Sequence, residues 1–111
     1  MKKYKLGIFA EYFAAMLYML RFYSMLHHRM KTYVGEIDLV ASKFNQLVFI
    51  EVKARKCGIY DGIVSNSQQE LIRRAAELFL SKNAKYQNYD VRFDLVVIRP
   101  YKAPLIIRNA W

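Results

Sequence analysis

Cysteine is almost absent: Cys57 stands alone among 111 residues. A single thiol excludes an internal disulfide and fits a reducing compartment, so a cytoplasmic setting is expected. It also excludes a zinc site built on paired cysteines, and no Cys/His spacing offers another. Acids are scarce, 9 against 18 lysines and arginines, giving a formal charge of +9. That excess favours a polyanionic partner: DNA, RNA or an anionic membrane surface. A long uncharged run is missing too. The stretch MKKYKLGIFAEYFAAMLYMLRFYSML begins basic and continues apolar, but Glu11 interrupts it and Arg21 closes it. The uninterrupted part, Tyr12 to Leu20, falls well short of the roughly 20 residues a spanning helix requires. No small-residue cleavage site follows. Residues 6–21 are therefore expected to form a buried or amphipathic helix with no stable membrane insertion. A helix lying on a membrane surface is the alternative. Internal repeats and low-complexity segments are lacking as well.

What the chain does have is apolar content. Hydrophobic residues make up 55% and aromatics 15%, enough for a packed core and too much for a disordered chain. At this length one domain spanning 1–111 is expected. Tyr23 to Lys31 is ambiguous, with a composition that suits a short strand. As a strand it would send His27 and His28 to opposite faces, and neither is given a role. Residues 35–41 and 47–54 read as two strands joined by the polar turn SKFNQ. In them Ile37, Leu39 and Ala41 alternate with Glu36, Asp38 and Val40, and Val48, Ile50 and Val52 with Phe49, Glu51 and Lys53. This predicts one apolar face and one charged face. Ala54 to Asn66 reads as a loop. In SQQELIRRAAELFLSKN, Ser67 and Glu70 form a capping box, and Leu71, Ile72, Ala75, Ala76 and Phe79 form an apolar stripe at helical spacing. Tyr89 to Ile98 is a further strand, stopped by Pro100, and LIIRNAW offers a short terminal one. The passage from strand 47–54 through the helix to strand 91–98 has the length of a parallel crossover. A mixed α/β sheet follows, with the helices on either face or both on one.

A turn centred between Phe44 and Asn45 sets Asp38 opposite Glu51 and Glu36 opposite Lys53. Opposed residues share a face, with Cα atoms about 4.5–5.5 Å apart. Two carboxylates so placed repel unless a divalent cation lies between them. Lys53 would point into the same cleft, where it could hold a phosphate or orient a water. Spacing alone leaves a second reading open, because Glu-x-Lys on a strand also makes plain cross-strand pairs.

The segment GEIDLVA…LVFIEVKARK resembles the signature of the YraN-like family of small bacterial proteins. Gly7, Glu11, Ala14 or Ala15, and Leu17 in the first helix are similar too, as is RRAAELFL in the second. The family in turn resembles the PD-(D/E)XK nuclease superfamily. The resemblance implies a restriction-endonuclease-like fold: a mixed β-sheet flanked by helices, in the order α-β-β-β-α-β. By position, it implies catalytic roles for Asp38, Glu51 and Lys53. It implies metal ligation by Asp38, Glu51, Glu11 and the backbone carbonyl of Val52, with Mg²⁺ or Mn²⁺ as cofactor. Glu36 belongs to the signature without an assigned role. Ile37 replaces the superfamily's usual proline. Gln68 and Gln69 stand where the family often has basic residues, which would weaken phosphate contact there. Arg73 and Arg74 would compensate, or would simply form a solvated helix face.

The function implied is metal-dependent phosphodiester hydrolysis on nucleic acid, DNA ahead of RNA. Arg55, Lys56, Arg73 and Arg74 flank the cleft in sequence and are the expected backbone contacts, and a homodimer would suit two-fold junction substrates. The alternatives are a non-catalytic nucleic-acid-binding module and an adaptor that uses the apolar first helix on a protein or membrane surface.

Overall fold

The structure is a computed structural model that describes residues 3–55 and 64–111. The elements are α1 (Lys3–Leu20), β1 (Ser24–Thr32), β2 (Gly35–Lys43), β3 (Gln46–Ala54), α2 (Asn66–Lys82), β4 (Asp90–Ile98) and β5 (Leu105–Ile107). A short 3₁₀ turn at Ala84–Tyr86 precedes β4. The five strands lie in chain order, β1-β2-β3-β4-β5. All neighbours are antiparallel except β3 and β4. A parallel pair needs a long crossover, and α2 supplies it. This is the α-β-β-β-α-β order of a restriction-endonuclease-like mixed sheet, extended by β5. The ambiguous segment after α1 is a full strand, β1.

One helix covers each face. On the first, Ala10, Ala14 and Tyr18 of α1 pack on Leu39, Ala41, Val48, Ile50, Val52 and Val96. The alanines let the helix axis come close to the strands. On the second, Ile72, Ala75, Ala76 and Phe79 of α2 pack on Ile37, Val40, Leu47, Phe49, Leu95 and Val97. Each large buried side chain contributes about 1.5–3 kcal/mol. The expectation of one apolar and one charged hairpin face is thereby corrected: both faces are apolar, because the central strands are buried on both sides. Leu71, assigned to the α2 stripe, is instead 45% exposed and lies against Gly35. The cap of α2 is also corrected. Ser65, not Ser67, accepts the Gln68 N–H, at 3.2 Å.

A buried polar network joins α1 to β4. Asp94 is fully buried and accepts from Tyr18 Oη at 2.7 Å, from Arg92 Nε at 2.8 Å, and from the Asn109 N–H at 3.0 Å. Burial and the neighbouring Asp94 push the Tyr18 hydroxyl far above its usual range.

Two turns at the end of the sheet bearing the β2–β3 connection place phenylalanine where glycine is usual. At the end of α1, Tyr23 N–H donates to Tyr18 O and Phe22 N–H to Met19 O, a Schellman closure with Phe22 at the left-handed position, φ 70°. Between β2 and β3, Lys43 pairs with Gln46, leaving a two-residue turn in which Phe44 has φ 55°. Each such residue costs about 1–3 kcal/mol in strain. Among the described residues, no helix is long and apolar enough to cross a membrane.

Candidate functional site at the strand fork

The β2–β3 ladder runs from Lys43↔Gln46 to Leu39↔Ile50 and stops there. Beyond it β2 stays with β1 as far as Gly35↔Thr32, and β3 stays with β4 as far as Ala54↔Ile98. The central strands therefore part at Asp38 and Glu51. Two irregularities open this fork. Ile37 and Leu39 should share a face at strand spacing, yet they enter opposite core clusters, so β2 turns over at Asp38. On β1, Arg29 lies between the pairs His28↔Leu39 and Met30↔Ile37, and its backbone is left-handed, φ 57°.

Inside the fork, Asp38 Oδ2 accepts the Val52 N–H at 2.8 Å. The N–H and C=O of one strand residue point the same way, so the Val52 carbonyl also faces the fork. Glu51 is 7% exposed. Its Oε2 accepts from Gln68 Nε2 at 3.1 Å, and its carboxyl lies within hydrogen-bond reach of Asp38. Burial first, then the hydrogen bond and charge of Asp38, push the Glu51 carboxyl up to about 9, with Lys53 acting in the opposite direction. Lys53 is half-buried on the same strand.

Glu11 approaches from α1, and its charge is felt at Glu51. Its Oε1 is engaged by Arg29 Nε at 2.7 Å and by His28 Nε2 at 3.2 Å. The bond to Glu11 and that carboxylate's charge raise the Arg29 pKa further. Among the described residues, no group of three His, Cys, Asp or Glu side chains is arranged to hold a metal. The donor set suits a hard divalent cation in a more open form. Mg²⁺ is commonly held by one or two carboxylates, with waters and substrate oxygens completing its shell. Asp38, Glu51 and the Val52 carbonyl supply that much, and a buried carboxyl that keeps its proton for want of positive charge is what a cation would relieve.

Asp38, Glu51, Lys53 and Val52 are thus gathered at the fork, and Glu11 lies beside it in an ion pair. Glu36 is opposite Lys31 of β1 rather than Lys53, because β2 leaves β3 before reaching it. Arg55 is exposed at the end of β3 and donates to the Ala54 carbonyl at 2.8 Å. Arg74 pairs with Glu70 one turn earlier, at 3.4 Å, and Arg73 is half-buried. Lys56 lies outside the described residues. Sequence reasoning missed Gln68, His28 and Arg29. Gln68 had a signal: Ser65 and Gln68 form a second capping-box pattern overlapping that of Ser67 and Glu70, and choosing it puts Gln68 in the first turn.

A sequence model described as "Uncharacterised protein family UPF0102" matches residues 10–98, a span that contains the whole fork. A UPF0102 protein of Mesorhizobium japonicum is 36% identical over 112 residues, covering 99% of this chain and 89% of its own. One from Agrobacterium fabrum is 42% identical over 100 residues, covering 88% and 81%. One from Parvibaculum lavamentivorans is 38% identical over 110 residues, covering 97% and 82%.

Proposed function

The chain belongs to the UPF0102 family, a family name that carries no activity, and from its own residues we propose a nucleic-acid-binding protein that hydrolyses phosphodiester bonds with Mg²⁺ or Mn²⁺. The observation that carries this reading is the meeting of Asp38 with buried Glu51 at an open fork, with Lys53 two residues further along β3. Asp38, Glu51 and the Val52 carbonyl would hold the ion, which when bound supplies positive charge to a phosphate and lowers the pKa of a water. Gln68 fixes one oxygen of Glu51 and so sets the direction of the other. Lys53 would orient the attacking water and offset charge on the phosphate. The formal charge of +9 supports a polyanionic substrate, with Arg55, Lys56, Arg73 and Arg74 as backbone contacts. Such a substrate and the lone cysteine fit a cytoplasmic setting.

The test is a panel of branched, single-stranded and duplex DNA and RNA, incubated with Mg²⁺ or Mn²⁺. The parent should cut at least one substrate, and Glu51→Gln and Lys53→Met should both lose cutting. Mg²⁺ should raise the melting temperature of the parent and of Lys53→Met but not of Glu51→Gln. An uncut panel together with melting indifferent to Mg²⁺ in every variant would falsify the reading.

A second reading is binding without hydrolysis. It draws on the engagement of Glu11 by Arg29, which leaves two carboxylates at the fork rather than three. It predicts salt-sensitive binding with no cleavage. The exposed side chains of Phe9, Tyr12, Met16 and Met19 on α1 are what a homodimer or an adaptor role would use.

A further inference from the structure

We propose that the basic, aromatic-edged cavity at the opposite end of the sheet from Glu51 binds one nucleotide unit of single-stranded nucleic acid. Its phosphate would lie against Lys43, Arg108 and Arg21, and its base against Phe22 and Phe44. The proposal rests on the nucleic-acid half of the function proposed above and not on the hydrolytic half.

The cavity, about 570 Å³, lies between the end of α1 and the β2–β3 turn, and among the described residues no carboxylate lines it. At about 3.3 Å per residue, the turn is roughly 20 Å along β3 from Glu51, so the two sites are separate. Arg92 also lines the cavity, but its guanidinium is committed to Asp94. The other three cations form no ion pair among the described residues. Arg21 donates to the Leu17 carbonyl at 3.1 Å. Lys43 Nζ sits 5.3 Å from the Tyr23 ring and 5.8 Å from the Phe44 ring. Three like charges around one hollow repel each other, and a phosphate there offsets them.

The rings give the ligand its second half. Phe22 and Phe44 are 85% and 87% exposed, so they add little to the core. Both occupy left-handed backbone positions where glycine would relieve strain. Strain kept at two exposed aromatic residues beside one cavity marks a site rather than a packing need. Exposed rings offer stacking faces to any base, and cations beside them track the backbone, the combination found in single-strand binders. Inside a duplex the base faces are stacked on one another and offer none to these rings.

The test measures binding of a fluorescent oligothymidylate of about ten nucleotides to the whole protein without divalent ions, at several salt concentrations. Phe44→Gly suits the local backbone, so its melting temperature should not fall, while affinity should drop about tenfold. Lys43→Ala combined with Arg108→Ala should flatten the log–log salt slope by about 0.7 per cation removed. Parent-like affinity and slope in the cavity variants would overturn the proposal, whatever the cleavage panel shows. So would equal competition by polyglutamate, which carries charge but no bases, or by blunt duplex of matched charge. A parent that cuts nothing in the panel, with these effects intact, would instead count against the hydrolytic reading alone.

Discussion

The carboxylate of Asp38 takes the Val52 N–H at 2.8 Å, a hydrogen bond that a continuing β2–β3 ladder would have given to a backbone carbonyl. The side chain thus ends the ladder and satisfies the strand it releases, and the fork is held open by the residue that would work in it. Asp38→Asn can keep an acceptor for Val52, whereas Asp38→Ala leaves a buried N–H without one. Asp38→Ala should be less stable than Asp38→Asn by about 1–3 kcal/mol in urea unfolding. Equal stabilities would mean that Val52 finds another acceptor and that Asp38 does not hold the fork.

Glu51 gives the fold a stability that falls as pH rises. Its carboxyl is pushed from the ordinary 4.5 to about 9 by burial and by Asp38. Across that window the folded protein holds a proton that the unfolded chain has released. The contribution is therefore full at acid pH and is lost as pH rises toward 9. Glu51→Gln should flatten this slope in unfolding curves taken from acid to mildly alkaline pH. A cation competes with the same proton, so stabilisation of the parent by Mg²⁺ should grow over the same window.

Much of this was legible in the sequence, for definite reasons. The polar turn centred between Phe44 and Asn45 set the β2–β3 register, because a two-residue turn that closes Lys43 on Gln46 leaves Leu39 opposite Ile50. The cap of α2 was read one pattern too late because Ser65 and Ser67 both head capping-box sequence patterns. Choosing between them requires knowing where the preceding chain lies. The two apolar faces were missed because Val40 and Phe49 look like tolerated apolar residues on a wet face until a second helix covers them. Arg29 was invisible, since nothing in HHRMK signals a left-handed residue in mid-strand. Only the folded strand turns that arginine onto Glu11.

Breaking the Tyr18–Asp94–Arg92 network should cost far more than breaking any surface pair. Arg92→Leu leaves a fully buried Asp94 charge without its cation and should cost about 3–5 kcal/mol. Tyr18→Phe removes one donor of several and should cost about 1–3 kcal/mol. Arg74→Ala breaks an exposed pair with Glu70 and should cost under about 1 kcal/mol. Denaturant midpoints for the three variants check the order, and a mild Arg92→Leu would mean that water reaches Asp94.

Arg29 offers the sharpest test of what Glu11 does. Its left-handed backbone, φ 57°, is strained for a side chain and natural for glycine. Arg29→Gly should therefore relax the strand while the ion pair with Glu11 is lost. Solvent screens this pair at the arginine, so the net change in stability should be small. The effect on the fork should be larger. With the guanidinium gone, the Glu11 charge acts on Glu51 with less compensation and its carboxylate becomes available to a cation. Mg²⁺ should then bind several-fold more tightly, followed by the metal-dependent rise in melting temperature or by titration calorimetry. The double variant Arg29→Gly with Glu11→Gln should lose that gain. Unchanged Mg²⁺ affinity in Arg29→Gly would place Glu11 outside the proposed metal site and leave it only Asp38 and Glu51 as carboxylates.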